Sequence, residues 1–169
     1  MQHSKWSTFI VRLTAPAFVS ALWLGMVIGV SFLATPIKFH AASLTLAVAL
    51  DVGRVTFGLF SRVEWGLFAL LLAIAGTTAR ARSRRDLWIG VVLLLGVLML
   101  QSLWLLPVMN ERVARIIVSE AMPRTPHHLL YIALETTKAA VLAAMSIRAL
   151  LKFVRGPRGP TKLIQIKSS

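Results

Sequence analysis

Cysteine is absent from the 169 residues, and acid is scarce: six Asp and Glu stand against nineteen Lys and Arg. The first absence excludes disulfides, thiolate metal sites and cysteine nucleophiles, and it leaves the redox compartment unread. The second gives a formal net charge of +13, which on a soluble surface would point to nucleic acid. Here the basic residues lie between and after long apolar runs. Membrane topology and anionic lipid account for them, and nucleic acid is not an expected partner. There is no Walker loop and no dinucleotide fingerprint. No Ser or Thr inside an apolar run has a base at triad spacing. The chain therefore reads as non-enzymatic and without a cofactor.

What is present is apolar length. Hydrophobic residues make up 57% of the chain, against about 45–50% in a typical soluble domain. Four runs are long enough to cross a bilayer: residues 13–35, 57–78, 87–106 and 128–151. The first is about twice the ~7–15-residue apolar core of a signal peptide, so it reads as a retained span. Pro36 and Pro107 are expected to end the first and third runs. After each comes a less apolar stretch with helical periodicity. In 37–56, Leu44, Val48, Val52, Val55 and Leu59 share a face; in 108–121, Val113, Ile116, Ile117 and Ala121 do. Both read as interfacial amphipathic helices. The expected fold is all-α, a four-helix transmembrane bundle with two interfacial helices. It forms one domain over residues 1–152, followed by a basic flexible tail over 153–169.

Charge sets the expected orientation. With the N-terminus in the cytoplasm, twelve Lys and Arg fall inside and six outside, with Lys138 in mid-span. The positive-inside rule then places both termini in the cytoplasm and the chain in an inner (plasma) membrane. Arg80, Arg82, Arg84, Arg85 and the C-terminal tail would meet anionic headgroups. Gly25 and Gly29 form a GxxxG pair that permits close helix approach, and Ala69, Ala73 and Thr77 form a second small-residue seam. A second copy of the chain or a membrane partner protein would dock on such a seam. Trp65, Trp88 and Trp104 fall near expected span ends, whereas Trp23 lies deeper and is expected to pack inside the bundle.

Chemistry concentrates in the fourth span. His128, Tyr131, Glu135 and Lys138 are spaced i, i+3, i+7, i+10 and so share one helical face. A lone charge in a span costs at least about 2.5–3.5 kcal/mol. Glu135 and Lys138 are three apart and can neutralise each other, with Gln101 and Ser102 of the third span as supporting hydrogen-bond groups. The bland reading is a structural ion pair. The functional reading is a proton or ion relay, or a polar ligand pocket. Asp51 with Arg54, and Arg62 with Glu64, are expected as pairs at the outer membrane boundary. His40, His127 and His128 all fall near that boundary. They offer a metal-site alternative, although adjacent His127 and His128 point to different faces.

These features resemble those of small four-span membrane proteins of the transmembrane protein 205-type group, also described as domain of unknown function 4149. The resemblance covers most of residues 20–150. It rests on Gly25, on the amphipathic link from Pro36 to Phe60, on Leu103-Trp104-Leu105-Leu106-Pro107 followed by a helix bearing Met109, and on a fourth span led by His128. It implies a bundle of spans in which His128, Tyr131 and Glu135 occupy the polar positions of the last one. Lys138 departs from that pattern. No reaction is implied. The expected function is the handling of a small solute or ion, or an accessory role, through the polar centre of span four. The alternatives are a subunit docking on a larger membrane complex and a membrane metal or enzyme site built from the outer histidines.

Overall fold

The computed structural model describes residues 2–77, 81–118 and 126–154, and the side chains of 14–77, 85–118, 126–151 and 154. Arg80 and the expected tail beyond Val154 lie outside that description, as do the side chains of Arg82 and Arg84. Among the described residues every regular element is helical. Four stretches are long and apolar enough to cross a membrane: Thr14–His40, Leu46–Thr77, Arg85–Ile117 and His127–Leu151.

The first span begins in α1 (Gln2–Val27), passes through a π-helical turn at Ile28–Ala34, and continues as α2 (Thr35–Ile37) and a 3₁₀ turn at Lys38–His40. Pro36 therefore does not end it. A proline removes one helical N–H and crowds the carbonyl four residues back. The π turn re-registers the backbone just ahead of Pro36, so the Thr35 amide donates to the Val30 carbonyl. The Thr35 hydroxyl donates to the same oxygen at 2.8 Å. Pro107 is handled in the same way. α4 (Ala81–Met99) leads into a π turn at Leu100–Leu105 and on into α5 (Leu106–Ile117), with the Leu106 amide donating to the Gln101 carbonyl. The stretch after Pro107 is helical and amphipathic as expected, but it prolongs the third span instead of starting a separate helix.

The stretch before span two differs likewise. Thr45 caps α3 (Leu46–Thr77), its hydroxyl accepting from the Val48 amide at 3.4 Å. The helix then runs 32 residues without a break, about 48 Å against a hydrocarbon core of about 30 Å. Residues 46–56 are thus the first third of the second span's own helix. The fourth span, α6 (His127–Val154), follows Pro126, whose carbonyl accepts from the Leu130 amide at 2.9 Å.

α1 packs most extensively on α6 and also on α3; α3 packs on α4 and α5, and α4 on α6. Trp23, Val27, Phe60, Phe68, Leu71, Leu94, Leu98 and Leu142 fill the shared interior. Large apolar side chains also cover the outside, among them Phe18, Leu33, Leu103 and Val154. That distribution suits a bundle whose solvent is lipid, where small residues and polar contacts decide which faces meet. Gly90 marks one such meeting, since a Cβ there would run into the Met145 sulfur of α6. Gly25 and Gly29 do not: a Cβ on either would meet nothing within 4 Å. Ala69, Ala73 and Thr77 are also exposed. Both small-residue seams point away from the bundle.

Candidate functional site: a buried acid–base trio beneath a cavity

Lys138 is wholly buried and carries the only ammonium at the centre of the described bundle. Its Nζ lies 2.8 Å from Glu135 Oε1, the partner expected from spacing on α6. The same Nζ lies 2.5 Å from Glu64 Oε1 on α3. Glu64 is 3% exposed and Glu135 1%. Glu64 was expected beside Arg62 at the membrane boundary; the structure places it in the core instead, while Arg62 is exposed. The reason is the length of α3. Once residues 46–56 belong to it, Glu64 stands near the middle of the helix and not at its start. Trp65 moves inward for the same reason, packing edge-on against Phe68 at 5.8 Å and donating to the Ser102 hydroxyl at 3.3 Å.

Three more side chains close the site. Trp23 donates its indole N–H to Glu64 Oε1 at 3.0 Å. Gln101 donates its amide to Glu135 Oε1 at 2.8 Å, and Ser31 donates its hydroxyl to Glu135 Oε2 at 2.9 Å. Ser31 and Gln101 sit in the two π turns, so the backbone irregularities ahead of Pro36 and Pro107 both aim a donor at Glu135. π turns of this kind often mark functional positions. Ser102 faces elsewhere, taking the Trp65 N–H and donating to the Leu98 carbonyl at 2.6 Å. Glu64, Trp23 and Ser31 were not assigned to this centre from sequence. The available signal was Trp23, a deep indole whose N–H needs an acceptor when buried.

With all three groups ionised, Glu64, Lys138 and Glu135 carry one negative charge in excess. Desolvated charges of this kind persist only when paired and hydrogen-bonded. The Gln101 Oε1, buried beside the trio, has no hydrogen-bond partner among the described residues. A glutamine amide offers donors on one side and an acceptor on the other. It gives an N–H to a carboxylate and, turned over, accepts an O–H from a carboxylic acid.

A cavity of about 380 Å³ reaches Glu135 from the end of the bundle that carries Pro36 and His128. Ser31, Thr35 and the rings of Phe32 and Phe39 line it from span one, Phe57 from α3, and His128, Tyr131 and Ile132 from α6. Tyr131 meets Phe57 edge-on, with ring centroids 5.1 Å apart. The face shared by His128, Tyr131 and Glu135 is thus one wall of the cavity, with Lys138 one turn beyond its floor. Lys38 lies near the other wall, its ammonium 5.2 Å from the Phe39 ring centroid and 5.9 Å from that of Phe57.

The remaining candidates lie apart. Asp51 and Arg54 form an exposed i, i+3 pair at 2.7 Å, of the class that contributes little to stability. His40 is exposed, its ring nitrogen 3.3 Å from the Pro36 carbonyl. His127 packs edge-on against Trp104 at 6.2 Å. Among the described residues no three of His, Asp and Glu come together as a metal-holding group, so the three histidines do not assemble into one.

A family model described as Domain of unknown function (DUF4149) matches residues 18–116. The chain belongs to the DUF4149 family. It is a membrane protein with four candidate spans, and the match does not extend to the finer transmembrane protein 205-type grouping. Within this DUF4149 chain, Trp23, Ser31, Glu64 and Gln101 fall inside the matched segment, while Glu135 and Lys138 lie beyond its end. No curated protein and no solved structure matches the chain.

Proposed function

We propose that the chain is a non-enzymatic multi-pass membrane protein that handles a proton together with a small solute, using Glu64, Lys138 and Glu135 as its polar centre. The observation that carries the reading is the imbalance of the trio, two acids to one base, with one of those acids at the floor of a cavity. Glu135 is the group that meets the incoming proton. Gln101 serves either protonation state of it, and Lys138 holds the remaining charge against Glu64. The domain spans residues 1–152 with a basic tail over 153–169. Both termini are cytoplasmic in an inner (plasma) membrane, and Arg80, Arg82, Arg84, Arg85 and the tail contact anionic headgroups. The cavity then opens outward. The test is proton flux in proteoliposomes carrying the purified chain and an internal pH dye. Glu135→Gln abolishes flux while the protein stays monodisperse; flux equal to the parent's, with only stability lowered, would leave the trio a structural ion pair.

A second reading has its own observation. Gly25, Gly29 and the Ala69, Ala73, Thr77 seam face outward, and Arg62 stands exposed about 3 Å along α3 from Glu64. A subunit docking on a larger membrane complex would cover these faces. Its signature is a defined partner in mild-detergent pull-downs that is lost on Gly25→Leu; migration as a lone monomer counts against it.

A further inference from the structure

We propose that the cavity above Glu135 is a binding site for a small primary ammonium with an apolar or aromatic body. The inference deepens the functional reading and rests on its identification of Glu135 as the accessible end of the polar centre. Three observations select the ligand class. First, the charge at the floor is negative in excess. An anionic ligand would meet the unmatched carboxylate of the trio, and a neutral one would leave that charge unmatched. Second, Glu135 already accepts from one primary ammonium, that of Lys138 at 2.8 Å. That bond uses Oε1, which also takes the Gln101 amide. Oε2 accepts from the Ser31 hydroxyl, and both Ser31 and Glu135 line the cavity. A carboxylate oxygen has room for a second donor, so a ligand N–H can join Ser31 at Oε2 or replace it.

Third, the walls are aromatic. Phe32, Phe39, Phe57 and Tyr131 surround the space, and the faces of such rings attract cations. Two of them already do so within the chain, since the Lys38 ammonium sits over Phe39 and Phe57. The volume of about 380 Å³ falls at the lower end of the range of small-molecule sites, about 300–1,000 Å³. A one-ring or short-chain amine fits that size. Its ammonium lies toward Glu135 and its body between Phe57 and Ile132, with Thr35 and His128 nearer the opening. Binding brings the local charge of trio and ligand to zero without moving Lys138 from Glu64.

The test is equilibrium binding to the full chain in lipid nanodiscs, using benzylammonium against its isosteres benzyl alcohol and benzoate. Benzylammonium is expected to bind saturably at one site per chain, with neither isostere competing at equal concentration. Glu135→Gln weakens binding at least tenfold. Ile132→Trp, which fills the cavity from an exposed position and leaves the trio intact, does the same and decides the matter if the Glu135 variant does not fold. Equal binding of alcohol or benzoate, or parent-like affinity in Ile132→Trp, overturns the proposal. Proton flux that depends on Glu135 without benzylammonium binding overturns the ligand class alone. Binding without such flux sustains the ligand class and sinks the proton reading.

Discussion

Lys138 is the residue on which the interior depends, because it faces two carboxylates at once. Removing one member of a buried ion pair strands its partner, a loss of about 3–5 kcal/mol. Lys138→Met is therefore expected to lower the thermal unfolding midpoint in detergent sharply. Glu64→Gln added to it should recover part of the loss, since one of the stranded charges is gone. Measured as a double-mutant cycle, Glu64 and Lys138 should show coupling well above the ~0.5 kcal/mol within which independent sites add. Additive behaviour would place Glu64 back at the membrane boundary. Trp23→Phe tests the same carboxylate from α1. It keeps the ring but removes the N–H, with an expected loss of about 1.5–3 kcal/mol, the range for a hydrogen bond to a charged group. A Trp23→Phe chain as stable as the parent would mean that the indole only fills space.

At the scale of the element, glycine separates faces that touch from faces that do not. Gly90→Leu drives a side chain into Met145 and is expected to loosen α4 against α6, seen as a lower unfolding midpoint and as broadening in size-exclusion chromatography. A Cβ at Gly25 meets nothing within 4 Å, and Gly25→Leu should leave the isolated protein within about 0.5 kcal/mol of the parent. Equal damage from both would mean that α1 turns its glycine face inward. The sequence made the four spans, their order and the Glu135–Lys138 face legible, because apolar length and 3.6-residue periodicity are local signals. It hid how the spans run past Pro36 and Pro107. A proline reads as a stop, and the π turn that accommodates it depends on hydrogen bonds that periodicity does not report. The same limit hid Glu64. Its depth depends on α3 beginning at Leu46, and the polar residues Asp51 and Arg54 made the start of that helix look like a separate interfacial segment. Ser31 was illegible for a related reason, since its approach to Glu135 depends on the π turn in which it sits.

At the scale of the molecule, the four spans enclose the acid–base trio, and large apolar side chains cover much of the described outer surface. The cavity joins that centre to the end of the bundle bearing Pro36 and His128. The chain has no cysteine, so a single introduced thiol reports on its own surroundings without background. Ser31 lies beside Glu135 at the depth of the cavity, and Ser31→Cys is nearly isosteric. The direct test is labelling of Ser31→Cys by a small, membrane-impermeant, cationic methanethiosulfonate applied to each face of oriented membranes, with the lipid-facing Leu103→Cys as control. The expected result is rapid modification of Ser31→Cys from the face at the Pro36 and His128 end of the bundle, none from the other face, and none at Leu103→Cys. A Ser31→Cys chain that is unreactive from that face, or equally reactive from both, would contradict a polar centre reached from one side.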